Sequence, residues 1–242
     1  MDEIGTSLTI ARMQDPASTP PRSIRSFVKR GGRTTLAQDR ALTELWPRFG
    51  IEPGTMPLDL TLVFGRDAPC VLEIGFGDGE ALVARAAAEP ERNFLGLEVH
   101  PPGVGHCLLI AEAAQLTNLR VLSQDAVEVL GTRLADACLD EALIWFPDPW
   151  PKKRHHKRRL LNPSFATLLA SRMRSGATLR FASDWAHYAS EALEVLSAST
   201  DFHNTVPGGG YADRPSERVL TKFERRGLRL GHAVFDLKFR RR

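Results

Sequence analysis

Cysteine is scarce in this chain of 242 residues: Cys70, Cys107 and Cys138 stand far apart, with no C-x-x-C spacing among them. A disulfide framework or a structural zinc site is therefore not expected, and a reducing cytoplasm fits best. Long apolar runs are absent as well. None approaches the ~20 residues that a membrane helix needs, and residues 1–33 lack the apolar stretch of a signal peptide. A large net charge is also lacking, at +3 from 32 basic and 29 acidic residues. The apolar fraction of 43% and charged fraction of 25% are those of an ordinary soluble globular protein.

The small net charge hides a segregation. Val71 to Pro149 holds 13 acids against 4 bases, a net of −9, which leaves +12 for the rest of the chain. Three basic clusters carry that excess. Arg22, Arg25, Lys29, Arg30 and Arg33 form the first. Lys152, Lys153, Arg154, Lys157, Arg158 and Arg159 form the second, with His155 and His156 inside it. The third runs from Arg218 through Lys222, Arg225, Arg226 and Arg229 to Lys238 and Arg240–Arg242. One such cluster alone is as readily a solvated face. Three of them around an acidic middle point to a polyanion-binding rim about a chemically different centre.

The hydrophobic pattern alternates between strands and helices. Strands are expected at 70–75, 93–99, 119–123, 141–146 and 178–182, and helices at 79–89, 104–116, 126–134, 163–173 and 185–197. Pro147, Pro149 and Pro151 forbid an immediate helix after the fourth strand. Residues 232–239 alternate as a last strand, expected to be antiparallel because no long helix precedes it. The fold class is thus α/β, a mostly parallel sheet with helices on both faces. Residues 1–21 read as a polar, loosely attached arm, and 204–215, with Gly208, Gly209 and Gly210, as a mobile loop.

Four carboxylates fall at expected strand ends. Glu73, Glu98, Asp125 and Asp148 are spaced by roughly one βα unit each, which places them near the carboxyl edge of the sheet, where open α/β folds bind ligands. Any one of them alone is more readily a helix cap. The first turn reads L-E-I-G-F-G-D-G-E from Leu72 to Glu80, and its Gly75, Gly77 and Gly79 let backbone approach a ligand. This G-x-G-x-G differs from the dinucleotide G-x-G-x-x-G in the place of the third glycine. An acidic surround also suits a cationic adenosine ligand better than a pyrophosphate, and Glu98 is placed to accept from ribose hydroxyls.

These motifs resemble those of class I S-adenosylmethionine-dependent methyltransferases. Three further stretches narrow the resemblance to the bacterial tRNA (guanine-N7)-methyltransferase family. They are G-L-E-V-H-P-P-G-V-G (Gly96–Gly105), W-F-P-D-P-W-P-K-K-R-H-H-K-R-R (Trp145–Arg159) and T-K-F-E-R-R-G-L-R-L-G-H (Thr221–His232). R-S-F-V-K-R-G-G-R from Arg25 to Arg33 is also similar, so the likeness spans roughly Arg22 to Phe239. It implies a Rossmann-like fold and methyl transfer from S-adenosyl-L-methionine to N7 of the variable-loop guanine at position 46 of tRNA. It implies cofactor contacts from Glu73, Gly75, Gly77, Glu98, Asp125 and Asp148. Substrate contacts fall to Lys152, Asp184, Thr221, Lys222, Phe223 and Glu224, and RNA contacts to Arg154, His155, His156, Lys157, Arg158 and Arg159. The implied organisation is a basic arm at 1–35 and a methyltransferase domain at 36–242, with tRNA-binding segments at 150–159 and 214–242. The implied setting is cytoplasmic, as a monomer or homodimer, with tRNA as partner, no membrane and no metal. The chain departs from the family's pattern at Ser183, where the family often has threonine, and at Pro151, where some relatives have histidine.

The chemistry is modest in its demands. Guanine N7 carries an in-plane lone pair and no proton, so alignment with the methyl group matters more than a base. Asp148 is the candidate catalytic carboxylate, by holding the guanine N1–H and 2-amino edge and stabilising charge that develops on the ring; Asp184 or Glu224 comes second. Trp150 is placed to stack on an extruded base. The alternatives are another nucleic-acid or small-molecule S-adenosylmethionine methyltransferase, a nicotinamide-dependent oxidoreductase, and an RNA-binding module with a degenerate site.

Overall fold

A parallel strand covered on both faces reads as a nearly continuous apolar run. The central strands fit, since every residue of Cys70–Ile74 and of Asn93–Leu97 is buried, with Glu73 and Asn93 as the polar exceptions. The computed structural model describes residues 26–27, 32–220, 224–225, 229, 231 and 233–242. Its chain order opens with α1 (Leu36–Glu44), α2 (Trp46–Phe49), β1 (Gly50–Ile51) and α3 (Leu60–Phe64). The βα units follow as β2 (Cys70–Ile74), α4 (Glu80–Ala88), β3 (Asn93–Leu97), α5 (Pro101–Ala113), β4 (Leu119–Leu122), α6 (Ala126–Thr132) and β5 (Leu139–Trp145). A 3-10 helix at Lys153–Arg158 precedes α7 (Pro163–Arg172), β6 (Met173–Ser183), α8 (Ala186–Ala198), β7 (Phe202–Asn204) and β8 (Phe235–Arg241).

The eight strands lie in the order β1-β4-β3-β2-β5-β6-β8-β7. Pairings from β1 to β6 are parallel, and β8 runs antiparallel to both β6 and β7. The expected α/β class and the antiparallel last strand are therefore both present. After β2 the chain winds outward through β3 and β4, then crosses back to place β5 on the other side of β2. That reversal opens a crevice at the carboxyl ends of β2 and β5, the place where such sheets bind ligands.

Local sequence sets the helix ends. Asp125 and Asn162 accept from backbone amides at the starts of α6 and α7, and Thr35 forms a reciprocal capping box with Gln38 at α1. Pro101 and Pro102 occupy the first turn of α5, where no amide hydrogen is needed, so this helix begins at 101 and not at 104. The small elements α1, α2, α3 and β1 were not expected from the pattern. β7 begins before, and ends within, the stretch read as a loop at 204–215.

Strand alternation divides the core in two. Leu72 and Ile74 pack with α6, α7 and α8 on one face of the sheet. Val71, Leu143 and Trp145 pack with α1, α4 and α5 on the other. Glu141 lies on this second face among charges: Arg85 and Arg92 reach its Oε2 at 2.7 and 2.9 Å, and Arg180 reaches its Oε1 at 3.2 Å. Burial pushes its carboxyl pKa up, but the guanidiniums beside it prevail and hold the group below its ordinary value. Among the described residues no helix is long and apolar enough to cross a membrane.

Removing one member of such a buried set leaves the others uncompensated. Glu141→Ala is expected to lower the unfolding free energy by about 3–5 kcal/mol, read from urea denaturation. A loss under about 1 kcal/mol would show that the three arginines find water instead.

Candidate active site

The crevice holds a cavity of about 560 Å³, a size suited to a small-molecule ligand. Its lining includes Gly75, Gly77, Glu98, His100, Phe146 and Asp148. The glycine turn after β2 forms one wall. Gly75 and Gly77 have left-handed φ values of +75° and +61°, and a Cβ on either would project into open space. The turn thus presents bare backbone to the cavity. Gly79 differs from the ligand-approach role read in the sequence: a Cβ there would strike Cys107 of α5, so this glycine serves helix packing.

The four strand-end carboxylates share the edge but sit at different depths. Glu98 is clamped by backbone: its Oε2 accepts from Gly77 N at 3.0 Å, and its Oε1 accepts from Val99 N at 2.7 Å and His100 N at 2.9 Å. Glu73, on the Val71 face of β2, is buried immediately before the lining residues Ile74 and Gly75. Burial pushes its carboxyl pKa up to about 8; Asp78 and Glu98 add to the rise, and Arg85 opposes it. Asp125 caps α6 through Val127 N at 2.8 Å, while its neighbours Gln124 and Ala126 line the cavity. Asp148 is exposed and lines the cavity directly.

The segment carrying Asp148 is strained. Phe146 and Trp150 hold φ values of +51° and +45°, two of four such non-glycine residues among those described. Left-handed backbone costs a side-chain-bearing residue about 1–2 kcal/mol, so the surroundings must impose it. One restraint is the Phe146 amide, which donates to Ala182 O at 2.8 Å. Another is Trp150, whose Nε1–H donates to Ser26 O at 3.0 Å while Arg158 covers its ring at 4.9 Å. Trp150 thereby ties the segment to the N-terminal stretch, and it lies outside the cavity lining.

Several expected contacts need correction. Arg159 does not face RNA: it is buried, donates to Pro149 O at 2.9 Å and to His187 Nδ1 at 2.9 Å, and pairs with Glu191. Its guanidinium stacks on Tyr188, fastening the basic tract to α8. His156, His187 and Glu191 stand close enough together to share an ion, but the Arg159 cation already bonds two of the three. Glu224 is buried and accepts from Arg214 and Arg218, away from the cavity lining. Part of the 214–242 segment is core and not rim: among its described residues Arg218, Leu237 and Phe239 are buried. Lys152, Arg154 and Lys157 are exposed as expected of phosphate contacts, whereas His155, His156 and Arg158 are half-buried. Asp184 follows β6 outside the lining, and Thr221, Lys222, Phe223 and most of the 1–35 arm lie outside the described residues.

Sequence reasoning passed over Gln124 and Ser26 and reads His100 as structural or capping; all three line the cavity. Gln124 stands next to Asp125 and ties the edge to Gly54 through hydrogen bonds of 3.2 and 2.9 Å, a role that only the strand-end position could have suggested.

The donor set fits a cationic nucleoside such as S-adenosyl-L-methionine. Carboxylates line the cavity, one of them, Glu98, is held by three backbone amides, and the bare turn leaves room for ligand atoms. Comparison with known proteins agrees. The family model described as "Putative methyltransferase" matches residues 67–237. The chain is 56% identical over 223 residues to the tRNA (guanine-N(7)-)-methyltransferase of Halorhodospira halophila, covering 92% of this chain and 96% of that one. It is 53% identical to the protein of that name from Alkalilimnicola ehrlichii, over 93% and 96% of the two chains. Among solved structures, the 16S rRNA methyltransferase KamB superposes with a TM-score of 0.52 at 17% identity, over 81% of this chain and 99% of that one. An antibiotic-related methyltransferase gives 0.51 at 16%, over 78% and 98%. These two likenesses establish the Rossmann-like methyltransferase fold. By its close relatives, the chain belongs to the tRNA (guanine-N(7)-)-methyltransferase family.

Proposed function

We propose that this protein is a cytoplasmic enzyme that transfers the methyl group of S-adenosyl-L-methionine to N7 of the variable-loop guanine at position 46 of tRNA. The observation that carries the reading is the exposed Asp148 carboxylate on the lip of a cavity whose other wall is the Glu98-clamped glycine turn. The names of the curated relatives supply the nucleobase and the atom. When bound, the cofactor supplies an electrophilic methyl on a sulfonium.

Glu98 would hold the ribose hydroxyls, since its three backbone donors fix its orientation. Gly75 and Gly77 would run beside the cofactor. Asp148 would accept from the guanine N1–H and 2-amino group, which fixes the ring so that N7 lies on the line through the methyl and sulfur. The same carboxylate would offset positive charge growing on the ring. No proton leaves N7, so no base is required. Lys152, Arg154 and Lys157 would meet phosphates and give affinity without selecting sequence.

Three outcomes test this. Incubation with labelled methyl donor and unmodified tRNA, followed by nucleoside analysis, is expected to yield 7-methylguanosine. Asp148→Ala should reduce that yield about 100-fold or more, with cofactor affinity nearly retained; a fully active variant removes Asp148 from its role.

Replacing Lys152, Arg154 and Lys157 together by alanine is expected to weaken tRNA binding and flatten its log-log salt dependence by about one unit per residue. Filter binding across a salt series reads this, and an unchanged slope would place the phosphates elsewhere.

Glu73 gives a pH signature in the cofactor-free protein. Its folded-state pKa of about 8 lies above the ordinary 4.5, so the folded chain holds a proton that the unfolded chain releases. Stability from this group is full below the ordinary pKa and falls as pH rises through about 8. Glu73→Gln should match wild type near pH 5 and exceed it near pH 8, as read from urea midpoints. Parallel curves for the two proteins would show that Glu73 is ionised throughout.

A further inference from the structure

Arg218 reads from the sequence as one more base of the RNA-binding rim, and the structure puts it inside. Its side chain has no solvent exposure. The guanidinium forks onto both carboxylate oxygens of Asp236 in β8, with Nη2 3.0 Å from Oδ2. The same Nη2 donates to Glu224 Oε1 at 3.0 Å, and Arg214 Nε holds that oxygen from another side at 2.7 Å. The guanidinium carbon lies over two aromatic rings, 5.0 Å from the centroid of Trp145 and 5.5 Å from that of Phe146. Those residues are the end of β5 and the left-handed start of the segment that reaches Asp148 two positions later.

We propose that Arg218 is a positioning residue for methyl transfer: fixed by Asp236 and Glu224 and stacked on Trp145 and Phe146, it holds the strained exit of β5 so that Asp148 faces the cavity. The choice of side chain supports this. An apolar residue would cover the two rings without the desolvation cost of a buried cation. What a guanidinium adds is direction, because its planar fork fixes the donors while its face fixes the rings. Asp236 is itself anchored, opposite Ala182 in the β6–β8 ladder, and Ala182 O accepts the Phe146 amide. The strained turn is therefore gripped through its backbone by β6 and through its rings by Arg218. The proposal rests on the role given to Asp148 above.

Arg218→Lys tests it, because lysine keeps the charge and loses both fork and plane. The expected result is a kcat for tRNA methylation at least about fivefold lower, with cofactor affinity and tRNA affinity each within about threefold of wild type. Hydrogen–deuterium exchange of the 145–150 segment should quicken while that of β2 and β3 stays as in wild type. Asp236→Asn, which leaves the arginine and weakens one partner, should move both readouts the same way by less, and carries the test if the lysine variant fails to fold. A smaller change in kcat, unchanged exchange at 145–150, or a loss confined to tRNA affinity with a reduced salt slope overturns the positioning role; the last would return Arg218 to the RNA rim. Equal loss of stability, cofactor binding and turnover also overturns it, in favour of a purely structural role. Wild type assayed alongside separates the two readings: absence of 7-methylguanosine there defeats the proposed substrate, whereas exchange at 145–150 still reports on Arg218.

Discussion

Glu98 accepts hydrogen bonds from the amides of Gly77, Val99 and His100, and so ties the glycine turn after β2 to the end of β3. Backbone joins the same two elements, since Gly75 N donates to Leu97 O at 2.7 Å. A carboxylate placed there satisfies backbone donors that have no strand partner. The cavity, its acidic lining and the bare face of the turn all follow from this arrangement. The crossing of the chain from β4 to β5 supplies the opposite wall, so two remote stretches of sequence meet at one edge.

Charge is used in two distinct ways in this protein. Lys152, Arg154 and Lys157 remain at the surface, where their fields reach a polyanion. Arg85, Arg159 and Arg218 turn inward, each onto a carboxylate and an aromatic ring. The inward set joins segments far apart in sequence: Arg85 reaches β5, Arg159 reaches α8, and Arg218 reaches β8. The basic surface is accordingly mounted on a framework of the same residue type.

The strands were largely legible, and for a physical reason. Cys70–Ile74 and Asn93–Leu97 are covered on both faces, so their sequence is mostly apolar, with Glu73 and Asn93 the exceptions. α1 hid from the same reasoning because it buries Ala41 alone and carries little apolar stripe. The four strand-end acids were legible as a set because their spacing repeats the βα unit. Their separate duties were not, since spacing says nothing of depth: Glu73 is buried, Glu98 is clamped, Asp125 is a cap and Asp148 is exposed. The basic tracts misled at Arg159 and Arg218 for a related reason. A count of charges cannot tell an arginine that faces water from one that has found a carboxylate and a ring inside.

Glu141 serves Arg85, Arg92 and Arg180; Arg180 also holds Glu217 at 2.6 Å; and the next residue, Arg218, belongs with Asp236 and Glu224. Charges that depend on one another in this way have to be replaced together. A chimera that took residues 1–212 from one parent and the last 30 residues from another would have to match donor for acceptor across the seam.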